Sequence, residues 1–326
     1  MHAIVPVAGK GTRLRPHTYS VPKPLLPVAG KPVLGHILET LMEGGISRVT
    51  LIVGYMGEEI VSWARESYDL EVDFAVQEVM NGLGSAIGLA EPLVDEGPVL
   101  IALGDTIFDA NMEKIGASGR NLIGTRKVDD PRRFGVVVEE GDRVVRLVEK
   151  PAEFVSDLAI VGLYYFRSSG RLMEAIGKLV SIGKKTRGEY QLTDAMQLMI
   201  DDGEDFGTFR IEGWFDCGKT ETLLETNSRL LQRSGSAVLG EVTDSVIIDP
   251  VHIAEGAHIS CSVVGPGVTI RSGVTMDDCI VRQSIIGRDT TLGCSILESS
   301  LLGRNVEVRD QTGLLNVGDC CRVVSG

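Results

Sequence analysis

Residues 5–23 read Val5-Pro-Val-Ala-Gly-Lys-Gly-Thr-Arg-Leu-Arg-Pro-His-Thr-Tyr-Ser-Val-Pro-Lys23. An apolar run from Ala3 to Val7 leads into a turn bearing Gly9 and Gly11, and Arg13, Arg15 and Lys23 follow closely. This pattern predicts a strand that feeds an anion-binding loop. Glycines let a ligand approach the backbone N–H groups, while arginine offers forked donors and lysine a point charge for phosphate oxygens. One triphosphate would engage all of them. Two familiar phosphate loops fit badly. Thr12-Arg13 follows the second glycine where a P-loop needs Lys-Ser/Thr, and Arg13-Leu14-Arg15 replaces the helix opening of a dinucleotide fingerprint.

Working outward, Val33, Leu34, Ile37, Leu38, Leu41 and Met42 recur at helical spacing between Pro32 and Gly44-Gly45. The next segments predict a strand at 49–53, a helix at 58–67, a strand at 72–76, a short helix at 85–93 and a strand at 99–103. Strand-like blocks follow at 134–137, 148–151 and 160–166, then an amphipathic helix containing Ala195, Leu198, Met199 and Ile200, and another over 220–232. Alternating strands and helices with apolar strands imply a mostly parallel sheet covered on both faces. Ligands in such folds bind beyond the carboxyl ends of the strands. Asp105 stands at one such end, directly after the 99–103 strand, and Asp216 lies in a Trp214-Phe-Asp-Cys-Gly218 turn. In a nucleotide site Mg²⁺ binds one or two carboxylates together with substrate phosphates, so Asp105 is a candidate metal ligand.

Beyond Ser234-Gly235-Ser236 the pattern changes, which places expected domains at 1–235 and 236–326. Ile253, Ile259, Val264, Ile270, Met276, Val281, Ile286, Leu292, Leu297, Leu302 and Val308 follow one another at steps of five or six residues, with Gly, Asp, Asn and Ser between. No helix has that period. Single aliphatics separated by turn residues at near-hexapeptide spacing predict a parallel β-helix with three sides per coil.

The formal net charge of −13, from 32 Lys and Arg against 45 Asp and Glu, argues against a nucleic-acid or anionic-membrane binder. No run approaches the roughly 18 apolar residues of a membrane span. The six cysteines lack CxxC or Cys/His metal spacing. With no signal peptide read at the N-terminus, they are expected to be buried, reduced thiols of a cytoplasmic protein.

The string Ala8-Gly-x-Gly-Thr-Arg-Leu-x-Pro-x-Thr18, followed by Lys23-Pro-Leu-Leu-Pro-Val28 and Lys31-Pro-Val33, closely resembles the signature of the sugar-1-phosphate nucleotidylyltransferases. Later motifs carry the resemblance along the chain: Gln77 with Gly82-Leu-Gly-Ser-Ala86, Gly104-Asp105, Phe134-Gly-Val136, Glu149-Lys-Pro151, Gly162-Leu-Tyr164, Gly188-Glu189 with Thr193-Asp194, and Trp214-Phe-Asp216 with Gly218. The resemblance implies a Rossmann-like mixed, mostly parallel sheet followed by a left-handed β-helix, and a Mg²⁺-dependent transfer of a nucleotidyl group to a sugar 1-phosphate with release of pyrophosphate. By the same resemblance Ala8, Gly9, Gly11, Thr12, Arg13, Gln77 and Gly82 bind the nucleotide. Gly135, Glu149, Lys150, Gly162 and Glu189 bind the sugar phosphate, Lys23 sits at the α-phosphate, and Asp105 and Asp216 hold Mg²⁺.

Lys219 stands where family members more often have threonine. The resemblance favours dTTP or UTP with glucose 1-phosphate; GTP with mannose 1-phosphate, or a non-catalytic regulatory subunit, are its alternatives. For the tail it implies homo-oligomer formation, control, or a second acyltransferase site. An acyltransferase would want a base, and the tail's two histidines, His252 and His258, are of a kind more often found at the surface than in catalysis, which favours a structural, oligomer-forming role.

Overall fold

The computed structural model describes residues 1–325 and divides them into two compact units. One comprises Met1–Gly9 with Leu34–Trp214, and the other Lys10–Val33 with the chain from Phe215 onward. As far as Arg210 the strands used below are β1 (His2–Pro6), β2 (Arg48–Val53), β3 (Glu71–Val76), β4 (Val99–Ala102), β5 (Asn121–Lys127), β6 (Gly135–Glu140), β7 (Arg143–Glu149), β8 (Leu158–Phe166) and β9 (Phe206–Arg210). The helices used below are α1 (Val33–Glu43), α2 (Gly57–Ser67), α3 (Leu83–Gly88), α4 (Ser169–Ser181) and α5 (Leu192–Asp201).

In the first unit β1 runs between β2 and β4, parallel to both, with Ile4 opposite Thr50 on one side and Ile101 on the other. β3 extends the parallel part beyond β2. Ala3, Ile4 and Val5 and all four residues of β4 are fully buried, as expected of parallel strands covered on both faces. Past β4 the sheet changes sense. β8 pairs antiparallel with β4, β5 and β6, β7 pairs antiparallel with β6, and β9 returns parallel to β5. The sheet is therefore mixed: parallel around β1 and largely antiparallel around β8. Phe166 and Phe206 meet edge to face at 6.1 Å in the core beneath α4 and α5.

The expected helices at 33–42, 58–67 and 220–232 are observed as α1, α2 and α6 (Thr220–Ser234). The helix expected over 85–93 is shorter. α3 ends at Gly88 and a separate 3₁₀ turn spans Glu91–Leu93, because Pro92 cannot donate to a continuing helix. α4 is an additional element, opened by the Ser168 side chain accepting from Arg171 N and burying Leu172, Ile176 and Leu179 at helical spacing.

In the second unit the tail winds into three parallel sheets of six, six and five short strands, forming a left-handed β-helix. The sheet registers stack Ile253, Ile270, Ile286 and Leu302 in one column, Ile259, Met276, Leu292 and Val308 in a second, and Val264, Val281 and Leu297 in a third. All are at most 2% exposed. The single repeating aliphatic of the sequence is thus one inward residue per side of each coil.

One corner of the coils stacks Asp244, Cys261, Asp278, Cys294 and Asp310, with φ of 48°, 47°, 52°, 47° and 54°. Asp tolerates this left-handed conformation, and its side chain projects outward from the turn. The same geometry corrects one sequence expectation. Cys217 and Cys279 are buried, but Cys261, Cys294 and Cys320, at left-handed corners, and Cys321 beside the last of these are exposed. All six are free thiols. Among the described residues no helix is long and apolar enough to cross a membrane.

Replacing Ile270 by alanine should open a cavity in the β-helix and lower stability by about 2–5 kcal/mol, measurable by urea unfolding. Burial holds the imidazoles of His2, His17 and His252 below their ordinary pKa of 6.5. The unfolded chain therefore takes up more protons than the folded one below that pH. Stability should be insensitive to these groups above pH 6.5 and fall as pH drops through 6.5, by at most about 1.4 kcal/mol per pH unit for each histidine. A melting temperature that stayed flat from pH 7 to 5 would contradict this.

Candidate active site

The expected anion-binding loop begins where β1 ends. Ala8 is buried and Gly9 exposed in the first unit, while Gly11, Thr12, Arg13 and Lys23 belong to the second. Gly11 has φ +62° and precedes a 3₁₀ turn over Thr12–Leu14. A Cβ there would stand 2.9 Å from both Lys23 Cβ and Thr18 Cγ2, so the absent side chain is what lets the Lys23 stem cross the turn. The Thr18 hydroxyl closes the turn by donating to Gly11 O at 2.8 Å. Thr12 and Arg13 are exposed.

In the same unit Arg13 and Asp216 converge on Gly218. A Cβ at Gly218 would lie 2.8 Å from Asp216 Oδ1 and 3.2 Å from Arg13 Nη2. The Gly218 N–H donates to Asp216 Oδ1 at 2.8 Å and fixes the carboxylate. Lys219 opens α6 as its N-cap residue, with its N–H donating to Thr222 Oγ1 at 3.2 Å.

Within the first unit, Asp105 is half-buried just past β4 and receives a 3.4 Å contact from Thr106 Oγ1. Gly104, before it, is packed on the end of β1, where a Cβ would meet Val7 Cγ1 at 2.3 Å. Asp105 and Asp216 are hard oxygen donors of the kind Mg²⁺ takes alongside phosphate, so their chemistry fits that ion.

Gln77 and Gly82 are brought together: Gln77 is 7% exposed and its Nε2 lies 3.4 Å from Gly82 O. The loop carrying Gly82 is docked on Tyr190, through Gly84 N–H to Tyr190 O at 2.8 Å and Tyr190 N–H to Asn81 O at 2.8 Å. A Cβ on Gly82 would strike Tyr190 O at 2.4 Å.

The residues expected on the sugar side also form one group. Gly135 and Glu149 are register partners across β6 and β7. Glu149 Oε2 accepts from the Thr193 hydroxyl at 2.7 Å, and its Oε1 lies 3.2 Å from Lys150 Nζ. Lys150 takes φ +45° and its N–H donates to Phe134 O at 3.0 Å. Arg187 Nη2 donates to Lys150 O at 2.7 Å, tying in the turn that bears Glu189. Glu189 Oε2 itself accepts from Gln191 Nε2 at 3.1 Å. Burial and the Glu149 charge raise the Tyr164 hydroxyl above its ordinary pKa. Gly162 sits at a register shift in β8 with φ +89°, pressed against Leu103, whose Cδ1 would lie 2.6 Å from a Cβ.

Two residues exceed what the sequence indicated. Thr193 and Asp194 lie in the first turn of α5, whose N-cap is Gln191 with no side-chain cap bond. Thr193 instead holds Glu149, and Asp194 pairs with Lys184 at 3.7 Å. Arg187 stands directly before the Gly188-Glu189 motif, and only that adjacency marks it in the sequence. Of the tail histidines, His252 packs against Gly30 and exposed His258 pairs with Glu241 at 3.0 Å.

The sequence pattern that defines the family described as "Nucleotidyl transferase" matches residues 2–233. A glucose-1-phosphate thymidylyltransferase of Streptomyces griseus is 33% identical over 337 residues, covering 94% of this chain and 93% of that protein. The bifunctional protein GlmU of Methanococcus maripaludis is 35% identical over 263 residues; the match takes in 79% of this chain and only 62% of GlmU. Among solved structures, a Bacillus anthracis protein described as a glucose-1-phosphate thymidylyltransferase superposes with a TM-score of 0.62 at 26% identity, over 70% of this chain and 95% of that one. The chain belongs to the nucleotidyl transferase family, the family of sugar-1-phosphate nucleotidylyltransferases that its Val5–Lys23 signature resembles, and is an enzyme.

Proposed function

We propose that this enzyme joins a nucleoside triphosphate to a sugar 1-phosphate and releases pyrophosphate, with dTTP or UTP and glucose 1-phosphate as substrates. The observation that carries the reading is the convergence of the Arg13 guanidinium and the Asp216 carboxylate on Gly218, beside a turn that brings Gly11 under Lys23. A cation and a metal-type ligand at one bare backbone position suit a polyphosphate better than a neutral substrate.

The attacking group is a phosphate oxygen of the sugar phosphate, ionised at neutral pH, so no strong general base is required. Catalysis is then positioning and charge neutralisation along an in-line path. Arg13, with the N–H groups of Gly9 and Gly11, holds the β- and γ-phosphates and steadies the departing pyrophosphate. Ala8 and Thr12 shape that turn, and Lys23 faces the α-phosphate. Asp105 and Asp216 would hold Mg²⁺, which supplies charge neutralisation between nucleotide and incoming phosphate. Gln77 and the Gly82 backbone read the base edge.

On the sugar side, Glu149, oriented by Thr193, takes up sugar hydroxyls together with Gly135, Gly162 and Glu189, and Lys150 docks the phosphate. We assign this chemistry to residues 1–235, in the cytoplasm, and homo-oligomer formation to the β-helix of residues 236–326.

A grid of dTTP, UTP, GTP, CTP and ATP against glucose, mannose, galactose and N-acetylglucosamine 1-phosphates, read by pyrophosphate release with Mg²⁺, should give its strongest rate with a pyrimidine nucleotide and glucose 1-phosphate. A maximum at GTP and mannose 1-phosphate would replace that substrate pair. Arg13→Ala and Asp216→Asn should each lower turnover at least about a hundredfold, the order seen on removing a main charge stabiliser. Near-normal rates in either variant would remove these roles.

A further inference from the structure

The segment Lys10–Val33 belongs to the same compact unit as the β-helix and is fastened to it at two places. Near its end, Ala29 N–H donates to Asn227 Oδ1 at 2.8 Å, and Arg271 Nη1 donates to Gly30 O. Asn227 is itself anchored on the β-helix through Gly267 O at 2.9 Å and the Thr269 hydroxyl at 2.6 Å. This first fastening uses the early coils.

The second uses the last ones and lies between Arg13 and Lys23. His17, 3% exposed, places Nε2 at 2.7 Å from Asn316 Oδ1; that oxygen only accepts, so the Nε2–H tautomer donates. The Ser20 hydroxyl donates to Asp319 Oδ2 at 2.8 Å, and Ser20 O accepts from Arg304 Nη2 at 3.2 Å. Arg304 in turn grips Asp319 through its backbone N–H and Nε, each at 2.7 Å. Pro16 packs on Gly318, where a Cβ would stand 3.1 Å from the proline Cβ.

A buried histidine, a serine and a proline within five residues all find their partners in one short stretch of the tail. Asn316 also lines a cavity of ≈ 580 Å³ together with Arg13. Surface decoration does not need a carboxylate that is 12% exposed and held by four donors from two directions.

We infer that Asn316 and Asp319 are positioning residues for the phosphate loop, so that the last coils of the β-helix take part in nucleotide use. The inference rests on the nucleotidyl-transfer reading above. The two side chains touch no substrate in this account. They act through His17 and Ser20, which set the path of the backbone between Arg13 and Lys23.

The test uses the full-length protein and the most active pair from the substrate grid. Asn316→Ala and Asp319→Ala should each lower kcat/KM for the nucleotide about ten- to a hundredfold, the order expected when a reacting group is displaced by about 1 Å, while KM for the sugar 1-phosphate stays within about twofold. Asn316→Asp keeps an acceptor for His17 and should restore most of the loss. Tryptic cleavage after Arg13 should quicken in both alanine variants. Kinetic constants and cleavage unchanged in both variants would overturn the inference, as would a loss shared equally by both KM values or one that Asn316→Asp does not repair. No pyrophosphate release from the unmodified protein would instead remove the nucleotidyl-transfer reading itself.

Discussion

Residues 10–32 have no core of their own. They contain three 3₁₀ turns, Thr12–Leu14, His17–Tyr19 and Lys23–Leu25, and a ribbon of two-residue strands at Pro27–Val28 and Lys31–Pro32. Ordering a backbone costs roughly 1–2 kcal/mol per residue, and a segment this long without regular structure must be held by something else. The second unit supplies the hold. Asn227, Arg271, Asn316 and Asp319 anchor it at Ala29, Gly30, His17 and Ser20, on either side of Lys23.

The first unit solves a related problem with its sheet. Parallel strands around β1 deliver the Ala8-Gly9 turn and Asp105 from neighbouring carboxyl ends, since β1 and β4 run side by side in register. The antiparallel strands around β8 deliver a different group, Gly135 and Glu149 facing one another across a hairpin, with Lys150 just past its end. One mixed sheet therefore presents the residues proposed for the phosphates and those proposed for the sugar hydroxyls from two kinds of strand pairing.

Legibility in the sequence followed the range of the interaction. The β-helix was readable because its constraint repeats every five or six residues, and every aliphatic picked out by that period is buried. The βα alternation up to Ala102 was readable for the same local reason. The change of strand sense at β8 was not, because strand direction is decided by pairing and leaves no mark in the β8 composition itself. Gly162 carried a signature, but its backbone φ and the packing of Leu103 against it appear only in three dimensions. Thr193 stood in a recognised motif, but its partner Glu149 lies 44 residues earlier and nothing local marks the pair. His17 and Asn316 are separated by 299 positions, and neither residue announces the other.

That separation also has a consequence in time. A ribosome adding about 5–20 residues per second needs roughly 15–60 s to pass from one to the other. During that interval the phosphate loop exists without the coil that fixes it, however completely the strands near it have formed. A chain released between those two positions would carry the full signature but not this fastening.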